Sequence, residues 1–121
     1  MTTSPLSIYH GHLARGELAY QVDEGRPVFF PRVVAPETGN TSLQWRVSKG
    51  QGTVYATTVV YRKGEPPLNV ALVDLDEGFR MMSRVESLPA EAVKIGMRVR
   101  LRMIPGDAQA PALPVFDPFE P

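Results

Sequence analysis

The sequence predicts a mainly β protein, a short N-terminal helix followed by a small closed or nearly closed barrel, and three observations carry that prediction. Thr53 to Tyr61 is almost entirely β-branched or aromatic, the composition that suits a pleated, half-buried surface. Met97 to Met103 alternates apolar and basic residues without a break, so one face of that strand is buried and the other wet. Between them, Asn69–Leu75 and Phe79–Val85 are joined by Asp76-Glu77-Gly78, a hairpin turn in which Gly78 takes the positive φ. Four or five antiparallel strands of this length cannot hide a sheet edge unless they curl.

Taken in order, Ser4-Pro5 is a helix start, with Ser4 as N-cap and Pro5 in the first turn. Leu6, Tyr9 and Leu13 fall on one helical face, and Gly16 ends the helix. Leu18–Val22 is a candidate strand leading into the turn Asp23-Glu24-Gly25. Val28, Phe29, Phe30, Pro31, Val33 and Val34 form an apolar knot, and Thr38-Gly39-Asn40 turns the chain again. Leu43–Val47 is expected to extend into the barrel. Gly50-Gln51-Gly52 opens its first long strand, Pro66-Pro67 breaks the strands at a loop, and Leu88–Val93 reads as a single helical turn. The end, Pro111 to Phe119, is apolar but too rich in proline for a helix. It can lie along a partner or a second copy, or fold back over its own barrel.

Composition narrows the function. A chain of 121 residues makes one domain with enough core to fold without staples. There is no cysteine, which excludes disulfides and thiolate metal sites. Thirteen basic residues balance thirteen acidic ones, against the basic excess of a nonspecific nucleic-acid binder. No apolar run reaches membrane-spanning length and no signal segment opens the chain, so a cytoplasmic protein without membrane contact is expected.

Candidate chemistry is sparse. His10 and His12 point to different sides of a helix and cannot share a metal; they read as exposed polar residues. Asp74, Asp76 and Glu77 are the acidic cluster, and turn chemistry accounts for them. Arg98, Arg100 and Arg102 project from one face of a strand, and Arg80 and Arg84 from one face of another, with Met82 between them. Such faces are either solvated barrel exterior or an anion-binding surface, since guanidinium matches phosphate oxygens bidentately. Tyr55, Tyr61, Phe79, Met81 and Met82 divide between core and surface in a way the sequence leaves open. No nucleotide-cradling loop, Ser–His–Asp set or nucleophilic cysteine is present, so no catalytic residue is assigned.

Several segments in order resemble one family. Phe29-Phe30-Pro31-Arg32, Trp45, Ser48-Lys49-Gly50-Gln51-Gly52-Thr53-Val54-Tyr55, Asn69 to Gly78 and Ile95-Gly96-Met97-Arg98-Val99 are similar to the thiolase-associated OB-fold proteins, domain-of-unknown-function family thirty-five. The resemblance implies an N-terminal helix, a rubredoxin-like zinc ribbon and a C-terminal OB-fold barrel, here divided as 1–47 and 48–121 within one compact unit. The positions that carry the family's zinc-binding cysteines hold Gln21, Glu24, Ala35 and Thr38 here, which do not make a tetrahedral zinc site. The ribbon is therefore expected to be degenerate and metal-free, with no cofactor. A structural zinc contributes on the order of 10 kcal/mol, and each buried Phe-sized side chain roughly 1.5–3 kcal/mol. Val28, Phe29, Phe30, Val33, Val34, Leu43 and Trp45 are thus expected to pack the ribbon into the main core.

The resemblance also implies a function: a non-catalytic accessory subunit that partners a thiolase-like or related acyl-CoA enzyme and helps bind or pass its substrate. On that reading Arg80, Arg84, Arg98, Arg100 and Arg102 are candidates for the coenzyme A phosphates, and a homo-oligomer is possible. The competing class is a nucleic-acid-binding OB-fold module, argued from fold alone.

Overall fold

The computed structural model describes residues 4–29 and 43–119. Helix α1, Pro5–Ala14, begins where the cap signal places it, with the Ser7 N–H donating to Ser4 Oγ at 3.2 Å. Tyr9 and Leu13 are buried, but Leu6 is 44% exposed, against expectation. The helix buries residues of its middle and last turns, and its first turn stays in solvent.

Three short strands follow: β1 (Ala19–Asp23), β2 (Arg26–Val28) and β3 (Gln44–Val47). They form an antiparallel sheet in the order β2-β1-β3, with β1 buried along its whole length. Trp45 lies opposite Gln21 in this register, so its segment belongs to the small sheet and not to the barrel as the sequence suggested. β-Propensity marks a strand but does not name its neighbour.

The second sheet has the order β6-β5-β4-β7-β8, from β4 (Gln51–Val60), β5 (Leu68–Leu75), β6 (Arg80–Ser83), β7 (Arg98–Ile104) and β8 (Leu113–Pro118). Asn69, Ala71, Val73 and Leu75 alternate inward along β5. Gly52 is needed where β4 crosses β5: a Cβ there would lie 2.5 Å from the Asp74 carbonyl oxygen. Gly78, at φ 103°, turns the β5–β6 hairpin. A 3₁₀ turn at Ala90–Ala92 fills the predicted single helical turn.

The sheet closes on itself. Val85 forms a parallel bridge with Phe116, the Glu86 N–H donates to Phe116 O at 2.7 Å, and the Phe116 N–H donates to Arg84 O at 3.0 Å. Thus the proline-rich end is the last strand of the chain's own barrel, with Val115 and Phe116 fully buried, rather than a free segment held out to a partner.

Helix, small sheet and barrel share one core. Phe79 is the link: its ring stacks on Tyr20 at 4.7 Å and on Phe29 at 5.0 Å, and Phe29 meets Tyr9 edge-on at 5.7 Å. Trp45 packs against the same cluster. The ribbon remnant is thereby part of the main core, as expected, for Phe29 and Trp45; Phe30, Pro31, Arg32, Val33, Val34 and the turn Thr38-Gly39-Asn40 lie outside the described residues.

Candidate functional site

The five predicted arginines all reach the barrel exterior, and the register explains how. Along β7, Val99 is fully buried and Leu101 and Met103 pack against the core, so Arg98, Arg100 and Arg102 face out. Across the sheet Arg80 pairs with Asp74, Asp74 with Thr53, and Thr53 with Arg98, which sets Arg80 and Arg98 in one transverse row, while Arg84 lies beyond β6, beside Phe116 of β8. Asp74 therefore lies within β5 and not in the turn.

Four of the five are neutralised by carboxylates. Arg80 Nε donates to Asp74 and its guanidinium carbon sits 3.4 Å above the centre of the Tyr55 ring. Arg98 forms a two-pronged pair with Asp76, both bonds 2.8 Å, and also donates to Thr53 Oγ1 at 3.1 Å. Arg102 spans Asp117 at 2.9 Å and Glu86 at 2.6 Å. Arg84 Nε is 2.6 Å from Glu86 Oε2 but off the hydrogen-bonding direction. Arg98 holds Asp76 below the usual carboxylate range, chiefly through its hydrogen bond, and Arg102 does the same to Asp117. Arg100 differs: it lies 5.1 Å over the Phe119 ring and makes no salt bridge among the described residues, although Asp117 stands opposite it across β7 and β8 and feels its charge.

Glu77, the third acid of the cluster, accepts from Ser48 Oγ and the Lys49 N–H, both at 2.8 Å, and so clamps the β5–β6 turn to the start of β4. The sequence signal for these partners was weak, because each pair joins different strands and depends on register. Of the proposed aromatic and methionine surface, Phe79 and Met81 are core, whereas Tyr55, Tyr61 and Met82 are exposed. Small hollows flank the arginines. One of about 350 Å³ is lined by Asp74, Leu75, Gly78, Phe79 and Arg80, and one of about 290 Å³ includes Arg84 and Glu86. The larger groove, about 640 Å³, lies elsewhere, between the end of α1 and the β7–β8 loop.

His12 is half-buried rather than exposed. Its Nδ1 lies 2.9 Å from Glu17 Oε1 and its ring stacks on Trp45 at 5.9 Å, which ties the helix to β3. Among the ribbon positions, Gln21 is buried in β1 and Glu24 is exposed at a turn with φ 49°, while Ala35 and Thr38 lie outside the described residues. A buried amide and an outward acid do not fit the zinc ribbon's donor set. No cluster of three or more histidines and carboxylates able to hold a metal occurs among the described residues.

Residues 45–103 match the family model described as the ChsH2 C-terminal OB-fold domain. The fold aligns with a solved chain of an "Ltp2-ChsH2(DUF35) aldolase" at TM-score 0.83 and 25% identity, over 97% of this chain and 96% of that one. The chain belongs to the ChsH2/DUF35 OB-fold family. Among curated members it is 32% identical over 95 residues to a probable enoyl-CoA hydratase alpha subunit of Thermomonospora curvata, covering 75% of this chain. It is 36% identical over 66 residues, 51% of this chain, to the 3-oxo-4,17-pregnadiene-20-carboxyl-CoA hydratase alpha subunit of Mycobacterium tuberculosis. The match takes up 30% and 21% of those two proteins, so this chain spans under a third of either. No helix among the described residues is long and apolar enough to cross a membrane.

Proposed function

We propose that this ChsH2/DUF35 chain is a non-catalytic subunit of an acyl-CoA-processing complex, docking on a thiolase-like or hydratase partner and helping to hold the coenzyme A ester while the partner performs the chemistry. The observation that carries this reading is the end-to-end likeness to a chain from an aldolase complex, 97% against 96%. Two features support it. Among the described residues the ionisable groups are engaged in structural pairs or dispersed: the two serine–carboxylate contacts, Ser48 with Glu77 and Ser87 with Asp117, belong to a turn clamp and to the Arg102 ion-pair cluster, and no histidine hydrogen-bonds a serine. The relatives are named as alpha subunits of hydratases and are more than three times the length of the matched part, the relation expected of a module that works beside a catalytic partner. The zinc-free donor set leads to the further proposal that the chain folds without metal.

For the ligand, Arg100 is the arginine best suited to a phosphate, because it makes no salt bridge that binding would have to break and Asp117 opposite it is already held by Arg102. Arg80, Arg84, Arg98 and Arg102 would have to share or release a carboxylate first. The test is co-expression with thiolase-like and hydratase enzymes from the same genome, followed by calorimetric titration of the purified complex with an acyl-CoA. The complex is expected to co-purify and to bind the ester more weakly after Arg100→Ala. A chain that ignores these enzymes and instead binds a single-stranded oligonucleotide, with steep loss on adding salt, would replace this reading with nucleic-acid recognition.

A further inference from the structure

The long strand β4 is guarded on both sides only at its beginning. Gln51, Gly52 and Thr53 pair with β7, and Val54 is capped by Met97 O at 2.9 Å and the Gly96 N–H at 2.8 Å. At Tyr55 a bulge shifts the β4–β5 register and the strand leaves β7 behind. From Ala56 to Val60 it pairs with β5 alone, and no other element among the described residues hydrogen-bonds its backbone. In such a strand alternate residues turn both N–H and C=O away from the paired side, a row of free donors and acceptors.

Proteins usually blunt edges of this kind with proline, lysine or another charge. The other short edges here follow that rule: β2 is three residues long and contains Pro27, and β3 carries Arg46. The β4 run, Tyr55-Ala56-Thr57-Thr58-Val59-Val60-Tyr61, has neither proline nor charge. It is also nearly symmetric about Thr58. Pairing with an identical antiparallel run across a two-fold axis at Thr58 sets Ala56 opposite Val60 and Thr57 opposite Val59, with Tyr61 of each copy beside the other's bulge at Tyr55. Thr58 meets Thr58 and Thr57 meets Val59, β-branched pairs of the favourable cross-strand class, with the small Ala56 opposite Val60. Both tyrosines are exposed in the single chain, Tyr55 by 50% and Tyr61 by 70%, as are Thr58 and Val60. The zero formal net charge puts no overall repulsion between two copies.

We propose that the Ala56–Val60 edge is a self-association surface, on which a second copy of this chain adds its own β4 antiparallel to form a two-fold dimer with one sheet running through both barrels. This goes beyond the accessory-subunit reading and does not depend on it. A free edge of this character would also accept an extended strand from a different protein, but the near-palindrome singles out the chain itself.

The full chain in sedimentation equilibrium over a wide concentration series is expected to pass from monomer to dimer. Thr58→Lys and Thr58→Asp each put two like charges face to face on the axis, and each alone is expected to weaken the dimer by about tenfold or more. Mixed in equal amounts, they set Lys against Asp and are expected to restore it. Tyr61→Ser, at an exposed residue beyond the strand end, leaves folding untouched and is expected to weaken the dimer several-fold. A wild-type chain that stays monomeric throughout overturns the proposal. So does a dimer indifferent to Thr58→Lys and Tyr61→Ser, or a Lys–Asp mixture that does not recover, since either puts the contact elsewhere. Protection of the β4 edge amides only on adding a different protein overturns it in favour of that protein's strand.

Discussion

Replacing Phe79 with alanine tests whether the small sheet and the barrel are one cooperative body. Phe79 is 6% exposed and stacks on both Tyr20 and Phe29, so it touches β1 and the end of the small sheet from its place between β5 and β6. Truncating a buried phenylalanine costs about 3–5 kcal/mol, and each lost ring pair accounts for roughly 0.5–1.5 kcal/mol beyond area alone. A loss of about 4 kcal/mol is a large part of the 5–15 kcal/mol or so that holds an ordinary domain. With a urea dependence of about 2 kcal/mol per molar, the unfolding midpoint should fall by about 2 M. Two probes report the two halves. Trp45, the one tryptophan of the chain, sits in β3 of the small sheet, and far-ultraviolet circular dichroism is dominated by the barrel strands. In wild type and variant alike the two transitions should coincide, with the variant shifted. If Phe79→Ala lies within about 1 kcal/mol of wild type, or if Trp45 reports a separate early transition in the wild type, the shared core is refuted.

Asn69→Ala should cost about 1–3 kcal/mol in chemical denaturation, because it strips the buried Val85 N–H of its acceptor at 2.9 Å and Thr57 Oγ1 of its donor at 2.8 Å. Gly52→Ala should destabilise by about 1–3 kcal/mol or more in the same assay, since its Cβ would press on the β5 backbone; wild-type stability would deny the close crossing. Deleting residues from Pro111 onward should abolish the cooperative thermal transition, because it removes β8 and the fully buried Val115 and Phe116. The pH dependence follows from Asp76 and Asp117, whose folded pKa values are depressed below 3.8: their contribution is complete above that value and is lost as pH falls through the lower folded values. A melting temperature that drops on acidification, and drops less in a variant carrying both Asp76→Asn and Asp117→Asn, would bear this out.

The alternation of Val99, Leu101 and Met103 with three arginines was legible because a period of two is local, and so was the turn at Gly78. The strand Leu113–Pro118 was harder to read. Its prolines argued for a loose segment, yet β8 has a continuous neighbour only in β7 and meets β6 at little more than Phe116, so two missing N–H groups are tolerated. The bulge at Tyr55 was invisible inside an unbroken β-branched run. The candidate site was half legible. Sequence placed the five arginines on outward faces, but whether each is free or paired depends on which strand lies alongside. Asp74 reads as a turn residue until β6 is laid against β5 and brings Arg80 to it.

The junction of Val85 with Phe116 has a kinetic meaning as well. It joins segments with a hairpin, a 3₁₀ turn and all of β7 between them, and its two backbone bonds cannot form until that intervening chain is in place. Non-local closure of this kind belongs to the slow end of single-domain folding. Until it occurs, Phe116 lacks its burial and both β6 and β8 have an open side. Glu86, held by Arg102 from β7 while its own amide waits for Phe116, is placed to draw the two ends together by charge before the backbone bonds form.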